Sequence, residues 1–156
     1  MTMSDKSKYS IDNDLFFEHV RQMLDNNKAV KIPVTGTSML PFMHPGDAVI
    51  LKKALKTDLI CGRIVLAIWN KAYILHRIVW KEQEGNRMKL AGDNNLVQTE
   101  HIDLSDILAV VTTAYRGEKR INIDSPLQVC AGLVWYRLRF LRRIYNKMNK
   151  IYKKYK

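Results

Sequence analysis

The sequence has few cysteines and no long apolar run, and both absences limit what the protein can be. Its 156 residues contain two cysteines, Cys61 and Cys130. One widely spaced pair makes neither a disulfide framework nor a metal-binding spacing, and it suits a reducing compartment. No stretch of about 18 apolar residues occurs, and no apolar signal-peptide core follows the polar residues 1–10. We therefore expect a cytoplasmic protein with no membrane-spanning helix.

Acidic residues are absent from residue 131 onward, although the chain as a whole contains 15. That segment carries nine lysines and arginines, which is most of the net charge of +11. The rest of the chain is therefore nearly neutral. Proteins that read nucleic acids usually spread basic residues over a folded surface, so we do not expect a nucleic-acid partner. The histidines show no ligand-like spacing, and we expect neither a metal nor a cofactor.

Short strand patterns separated by tight turns fill the middle of the chain. A polar start over residues 1–10 is expected to be disordered, and a short amphipathic helix is expected from about residue 12 to residue 26. The pattern over 11–125 predicts one mainly β domain with a mostly antiparallel and partly closed sheet. Strands are predicted at residues 29–34, 48–52, 64–69, 72–80, 88–91, 107–115 and 119–123.

Residues 126–156 change to a helical period. Apolar residues such as Leu138, Leu141 and Tyr145 recur at intervals of three and four, and basic residues occupy another face. This predicts one long basic amphipathic helix. We expect it to lie in the interface of an anionic membrane, on the inner face, and to tether the domain there. The alternative is that its apolar stripe folds back onto the β domain and its basic face is simply solvated.

A stiff turn follows the first predicted strand and presents a serine. Gly36 permits a sharp turn or a close approach of the backbone, and Pro41 and Pro45 restrict the residues after it. Ser38 therefore lies at the end of a strand, where a nucleophile needs to be. Most serines in such loops only form turns, so Ser38 alone does not indicate an enzyme.

Two later residues complete a candidate catalytic set. His76 lies within an apolar strand pattern, and Asp93 lies in a turn. A histidine can accept a serine proton near neutral pH, and an aspartate can hold the imidazole in the required tautomer. Read without further context, His76 is a core residue and Asp93 a turn former. The spacing does not show that the three side chains meet.

The order of several short motifs resembles one family of peptidases. Gly-Thr-Ser-Met-Leu-Pro, Gly-Asp-Ala-Val, Gly-Arg-Ile-Val, His-Arg-Ile and Gly-Asp-Asn-Asn occur in turn between about Lys31 and Tyr115. Together they resemble the ordered motifs of the signal peptidase and LexA-type serine peptidases. Leader peptidases and LexA-like repressors carry a lysine base, whereas the endoplasmic-reticulum and archaeal type carries a histidine. His76 makes this chain more similar to the second type.

The resemblance implies a coiled β fold and a serine endopeptidase that cleaves an extended peptide after small residues. It implies Ser38 as nucleophile, His76 as base and Asp93 as the group that orients His76, with Asp103 as an alternative for that last role. The backbone N–H of Ser38 would help to bind the oxyanion, but Gly36 stands where leader peptidases have a hydroxyl. A peptide-binding or adaptor domain without catalytic activity on the same scaffold is the alternative function.

Overall fold

The computed structural model describes residues 4–154, and helix α1 begins this part of the chain. It spans Ser4–Asp25, although the sequence predicted disorder over residues 1–10 and a helix only from about residue 12. Residues 4–25 contain neither glycine nor proline, so no strong helix breaker interrupts them. Residues 1–3 of the predicted disordered start lie outside the described residues. Val20 and Leu24 are buried and attach the helix to the sheet.

Eight mainly antiparallel strands form one sheet, which confirms the predicted fold class. Seven of them lie within a few residues of their predicted positions. The sequence did not predict the strand Glu100–Asp103, because charged and polar residues interrupt its short apolar pattern. The strands are Val30–Pro33 (β1), Ala48–Lys53 (β2), Ile64–Trp69 (β3), Ala72–Lys81 (β4), Arg87–Ala91 (β5), Glu100–Asp103 (β6), Ile107–Arg116 (β7) and Lys119–Ile121 (β8).

The strand order is β1-β2-β7-β3-β4-β5-β6, with β8 paired to the end of β7. Within residues 4–154 the two end strands, β1 and β6, are not paired to each other, so the sheet stays open. Asn70 and Lys71 join β3 to β4 with positive φ values of 48° and 63°. Two residues of this conformation suit the tight turn of a hairpin. The hairpin places His76 beside Val65 of β3.

Alternation along the central strands separates two apolar cores on opposite faces of the sheet. In β3, Ile64 and Leu66 belong to the first core, whereas Val65 and Ala67 belong to the second. The first core also receives residues of α1 and of the loop between β1 and β2. The fold therefore anchors the candidate serine loop directly in one of its two cores.

The basic C-terminal segment forms two helices in place of the single one predicted over 126–156. Helix α2 spans Pro126–Arg137 and helix α3 spans Arg139–Lys154. The break lies at Leu138, whose backbone N–H contacts both the Val134 and the Tyr136 carbonyls. Residues 155–156 lie outside the described part of the chain. Among residues 4–154, no helix is long and apolar enough to cross a membrane.

Candidate active site

The loop between β1 and β2 carries Ser38 and is closed at its base by the backbone. The Val34 N–H donates to the Asp47 carbonyl at 2.7 Å, and the Gly46 N–H donates to the Val34 carbonyl at 2.8 Å. Inside the loop, Met39 and Met43 are fully buried in the first apolar core. Between these fixed points, Ser38 remains partly exposed. The loop thus holds its serine at the surface on a rigid base.

The side chain of Asp47 also holds the serine loop in place. Its buried carboxylate accepts hydrogen bonds from the His44 N–H at 2.8 Å and from Arg116 at 2.9 and 2.8 Å. The hydrogen bonds from Arg116 hold the pKa of Asp47 below its usual value, and they outweigh the opposing effect of burial. Because Arg116 is the last residue of β7, these contacts tie the serine loop to that strand.

His76 lies on β4 and is buried against a carboxylate of β6. Its Nδ1 is 2.9 Å from Oε2 of Glu100, and Glu100 is fully buried. The other oxygen of Glu100 accepts a hydrogen bond from Gln98 at 3.0 Å. A carboxylate at Nδ1 favours the tautomer with its proton on Nδ1 and leaves Nε2 as the acceptor. This is the arrangement that a catalytic histidine requires from its partner.

Ser38 and His76 line the same cavity, which has a volume of about 210 Å³. The turn after β5 closes the site from another side, and the Asn94 N–H donates to the Ser38 carbonyl at 2.8 Å. A side chain at Gly92 would begin 2.8 Å from the Ser38 carbonyl oxygen and 3.0 Å from His76 Nε2. Gly92 is therefore needed for the close approach of these three segments.

Asp93 points to a different partner from the one the sequence suggested. Its carboxylate oxygens accept hydrogen bonds from Nε and Nη2 of Arg77, both at 2.7 Å, and the side chains of Asp93 and Arg77 are almost completely buried. The third hydrogen bond of Arg77 reaches the Gly62 carbonyl at 2.6 Å. Burial raises the pKa of Asp93, while Arg77 acts in the opposite direction. The residue that contacts His76 Nδ1 is Glu100.

Asp103, the alternative orienting residue, lies at the far end of β6. It is exposed and lines a separate cavity together with Trp80 and Arg87. Its backbone N–H bonds Asp106 at 3.0 Å. The structure therefore brings Ser38 and His76 to one cavity, and it leaves Asp103 outside it.

Helices α2 and α3 cover the Arg77–Asp93 pair. Gly132 of α2 lies directly on the Arg77 guanidinium, where a larger residue would overlap it. Trp135 donates its Nε1–H to the Asp93 carbonyl at 2.9 Å, and Arg142 of α3 donates to the same oxygen at 3.1 Å. The C-terminal helices thus hold the turn that contacts Ser38.

Gly36 has open space where a side chain would project. The close approach that its sequence position suggested is not present there. Gly36 lines the same cavity as Ser38. Because it is a glycine, no side-chain hydroxyl lies two residues before Ser38. The second donor for an oxyanion is not supplied by a side chain at this position.

Glu100 was missed from the sequence, although its position carries a signal. Along β6, Glu100 and Ile102 are buried, and His101 and Asp103 are exposed. Period-two alternation thus places an acid on the same buried face as an isoleucine. A buried acid requires a partner, and His76 is the partner that this one has.

Residues 4–112 match the family model described as Peptidase S24-like, which covers more than half of the 156 residues. The match includes the serine loop, His76 and the β6 strand with Glu100. No curated protein matches the chain.

Proposed function

The chain belongs to the Peptidase S24-like family, and on this premise we propose that it is a serine endopeptidase that cleaves an extended leader or signal-like peptide. The observation that carries this proposal is that His76 lines the same cavity as Ser38 and has its Nδ1 2.9 Å from the buried carboxylate of Glu100. A nucleophile, a base and a group that orients the base are the parts that acyl transfer requires.

Ser38 would attack the scissile carbonyl, and His76 Nε2 would accept its proton as the bond forms. The carboxylate of Glu100 would stabilise the resulting imidazolium and keep the ring in place. The backbone N–H of Ser38 would donate to the oxyanion of the tetrahedral intermediate. His76 would then protonate the leaving amine, and water would release the acyl group by the same steps. Asp93 supports this arrangement through Arg77, without contacting the reacting atoms.

The sheet edge supports binding of the substrate as an added strand. Within the described residues, β1 pairs with β2 on one side and leads at its end into the serine loop. An extended peptide could therefore pair with β1 and bring a carbonyl to Ser38. The cavity beside the serine is small and mostly apolar, and the stacked rings of Phe17 and Tyr73, 3.9 Å apart, form one of its walls. A cavity of about 210 Å³ favours small side chains just before the bond that is cleaved.

We further propose that the enzyme is of the type that uses histidine, as in the endoplasmic-reticulum and archaeal signal peptidases. The support is the His-Arg-Ile motif and the contact of His76 with a buried acid. Arg77 of that motif has a structural role, because its two hydrogen bonds to Asp93 hold the turn after β5. The described residues that line the cavity include His76 and no lysine.

Cleavage of a peptide library tests the proposal. The library varies the residues on both sides of the bond, and the products of the purified full chain are identified by mass spectrometry. We expect cleavage after small residues such as alanine, and none when those positions carry tryptophan. Ser38→Ala should remove all cleavage without changing the circular dichroism spectrum.

A comparison of binding with cleavage separates the two candidate functions. If the protein retains peptides in a pull-down but cleaves none, including its own chain, the peptide-binding domain without activity replaces the peptidase. Cleavage that persists in Ser38→Ala would show that another residue is the nucleophile.

A further inference from the structure

Helix α3 presents a continuous apolar face to solvent. Seven of its large apolar side chains are between 43% and 67% exposed. At about 100° per residue, they fall within an arc of about 140° around the helix axis. Leu141, Ile144 and Met148 lie near the middle of the arc, and two tyrosines lie at one rim. This apolar face consists of Phe140, Leu141, Ile144, Tyr145, Met148, Ile151 and Tyr152.

The rest of the helix surface is basic. Between Arg139 and Lys153 the sequence contains no acid, and two asparagines are the other polar residues. Lys147 falls next to Phe140 on the helical wheel, at the rim opposite the tyrosines. The cations, called the basic face below, are Arg139, Arg142, Arg143, Lys147, Lys150 and Lys153.

Arg142 determines which side of α3 faces the β domain. Its guanidinium lies over the Trp135 ring, 4.2 Å from the centroid, and it also donates to the Asp93 carbonyl. Arg142 lies about 130° from the middle of the apolar face. The helix is therefore attached to the domain through its basic side, and the apolar face points away from the domain.

We propose that α3 is a docking surface for an anionic lipid bilayer, lying in the plane of the interface. A large apolar arc with cations on its flanks and tyrosines at one rim is the pattern of interfacial helices. The cytoplasmic leaflet is the anionic one, in agreement with the location expected from the sequence. This inference goes beyond the proposed peptidase function and does not depend on it.

The charge distribution of α3 favours a lipid surface over a second copy of the chain or a nucleic acid as its partner. A second copy of the chain would bring its own basic face against α3, with no acid on either helix to pair with the cations. A nucleic acid would neutralise the basic face but would leave the seven apolar side chains in water. An anionic bilayer accommodates both kinds of side chain at once, with the apolar face in the acyl boundary and the cations that flank it, such as Lys147, reaching the headgroups.

The length of α3 determines how it can bind. Its 16 residues span about 24 Å at 1.5 Å per residue, which is less than the hydrocarbon thickness of about 30 Å. Its cations also oppose insertion across the bilayer. Docked in the interface, α3 would hold the Asp93 turn, and with it the site of Ser38, close to the membrane surface. Substrates that emerge from or lie on that surface would then meet the cleft.

Co-sedimentation of the full chain with vesicles tests the inference. Vesicles of phosphatidylcholine alone are compared with vesicles containing phosphatidylglycerol, at low and at high salt. We expect binding to the anionic vesicles only, weakened by salt because screening reduces the attraction. A triple variant of the apolar face should bind about 100-fold more weakly, because membrane binding would bury the exposed part, roughly half, of three apolar side chains. That variant is Leu141→Gln, Ile144→Gln and Met148→Gln.

A pair of charge variants is matched in net charge and differs in location. Removing three cations from the basic face should also weaken binding about 100-fold, at about fivefold for each charge. Removing three exposed cations from the β domain should have little effect. The basic-face variant is Arg143→Gln, Lys147→Gln and Lys150→Gln, and the control is Lys56→Gln, Lys119→Gln and Arg120→Gln.

The outcomes separate the possible occupants. Equal loss in the two charge variants, or wild-type binding by the apolar-face variant, contradicts docking through α3. Absence of binding to anionic vesicles at low salt overturns the proposal outright. If sedimentation velocity instead shows self-association that the apolar-face variant removes, a second copy is the occupant. All variants should keep the helical circular dichroism signal, which shows that a loss of binding is not a loss of folding.

Discussion

Replacing Asp93 with asparagine tests the role that the structure gives to this residue. Both side chains of the Asp93–Arg77 pair are almost fully buried, and two hydrogen bonds of 2.7 Å join them. Asparagine keeps the shape but offers one acceptor oxygen, and its NH₂ group faces a second donor. A guanidinium cannot lose its proton, so Arg77 would remain charged and without its partner in the interior.

The expected loss of stability follows from this geometry. Removing one partner of a buried ion pair typically costs about 3 to 5 kcal/mol. Burial already raises the pKa of Asp93, so the carboxylate itself is costly to bury, and the neutral amide recovers part of that cost. We therefore expect a value near the lower end, about 3 kcal/mol.

Urea denaturation followed by tryptophan fluorescence measures this loss. Asp25→Asn is the matched control, because it removes the same chemical group from the exposed Lys53–Asp25 pair. We expect no measurable change in the control. If Asp93→Asn is as stable as wild type and yet inactive, then Asp93 orients His76 as the sequence suggested, and our account of the Arg77 pair is wrong.

Three further predictions concern the residues around the site. Gly132→Ala should destabilise the protein by about 1 to 3 kcal/mol, because the added methyl group would overlap the buried, hydrogen-bonded guanidinium of Arg77. Gly36→Ala, whose methyl group would meet no atom within 4 Å, is the control, and equal urea midpoints for the two variants would contradict the packing of Gly132 on Arg77. Glu100→Gln should slow peptide cleavage about 10³- to 10⁴-fold with near-normal stability, and wild-type kinetics would exclude its orienting role. Asp47 has a lowered pKa because Arg116 bonds it, so its stabilisation is complete above the usual carboxyl value of 3.8 and is lost as the pH falls through the lower folded value. The stability difference between wild type and Asp47→Asn should therefore shrink as the pH falls below 3.8 in acid denaturation, and a constant difference would contradict this.

Much of the fold could be predicted because the apolar patterns and turn residues of single segments match the strands that those segments form. The strand boundaries at Ile64–Trp69 follow directly from an apolar run that ends in a turn. The C-terminal segment is different, because its helical period continues through Leu138 without a breaker. Its division into two helices depends on long-range contacts, such as those of Trp135 and Arg142 with the Asp93 carbonyl, and periodicity does not report such contacts.

The candidate site was predictable in part for a similar reason. Ser38 and His76 occur in motifs whose residue types suggest their chemistry, and the structure places them on one cavity. The partner of His76 is a matter of strand pairing, since Glu100 reaches it only through the order β4-β5-β6. Asp93 is nearer in sequence, yet Arg77 provides the stronger electrostatic partner and takes both of its oxygens.

Covalent labelling with a serine-reactive fluorophosphonate tests the central claim most directly. The wild-type protein should carry one adduct, and peptide mapping should locate it at Ser38. The adduct should be lost in Ser38→Ala, and its formation should be slowed by several orders of magnitude in His76→Ala, because the two residues act as a unit. Ser105→Ala, which changes an exposed serine outside the cavity, should be labelled like wild type. An adduct on another residue, or equal labelling rates in wild type and His76→Ala, would contradict the Ser38–His76 assignment.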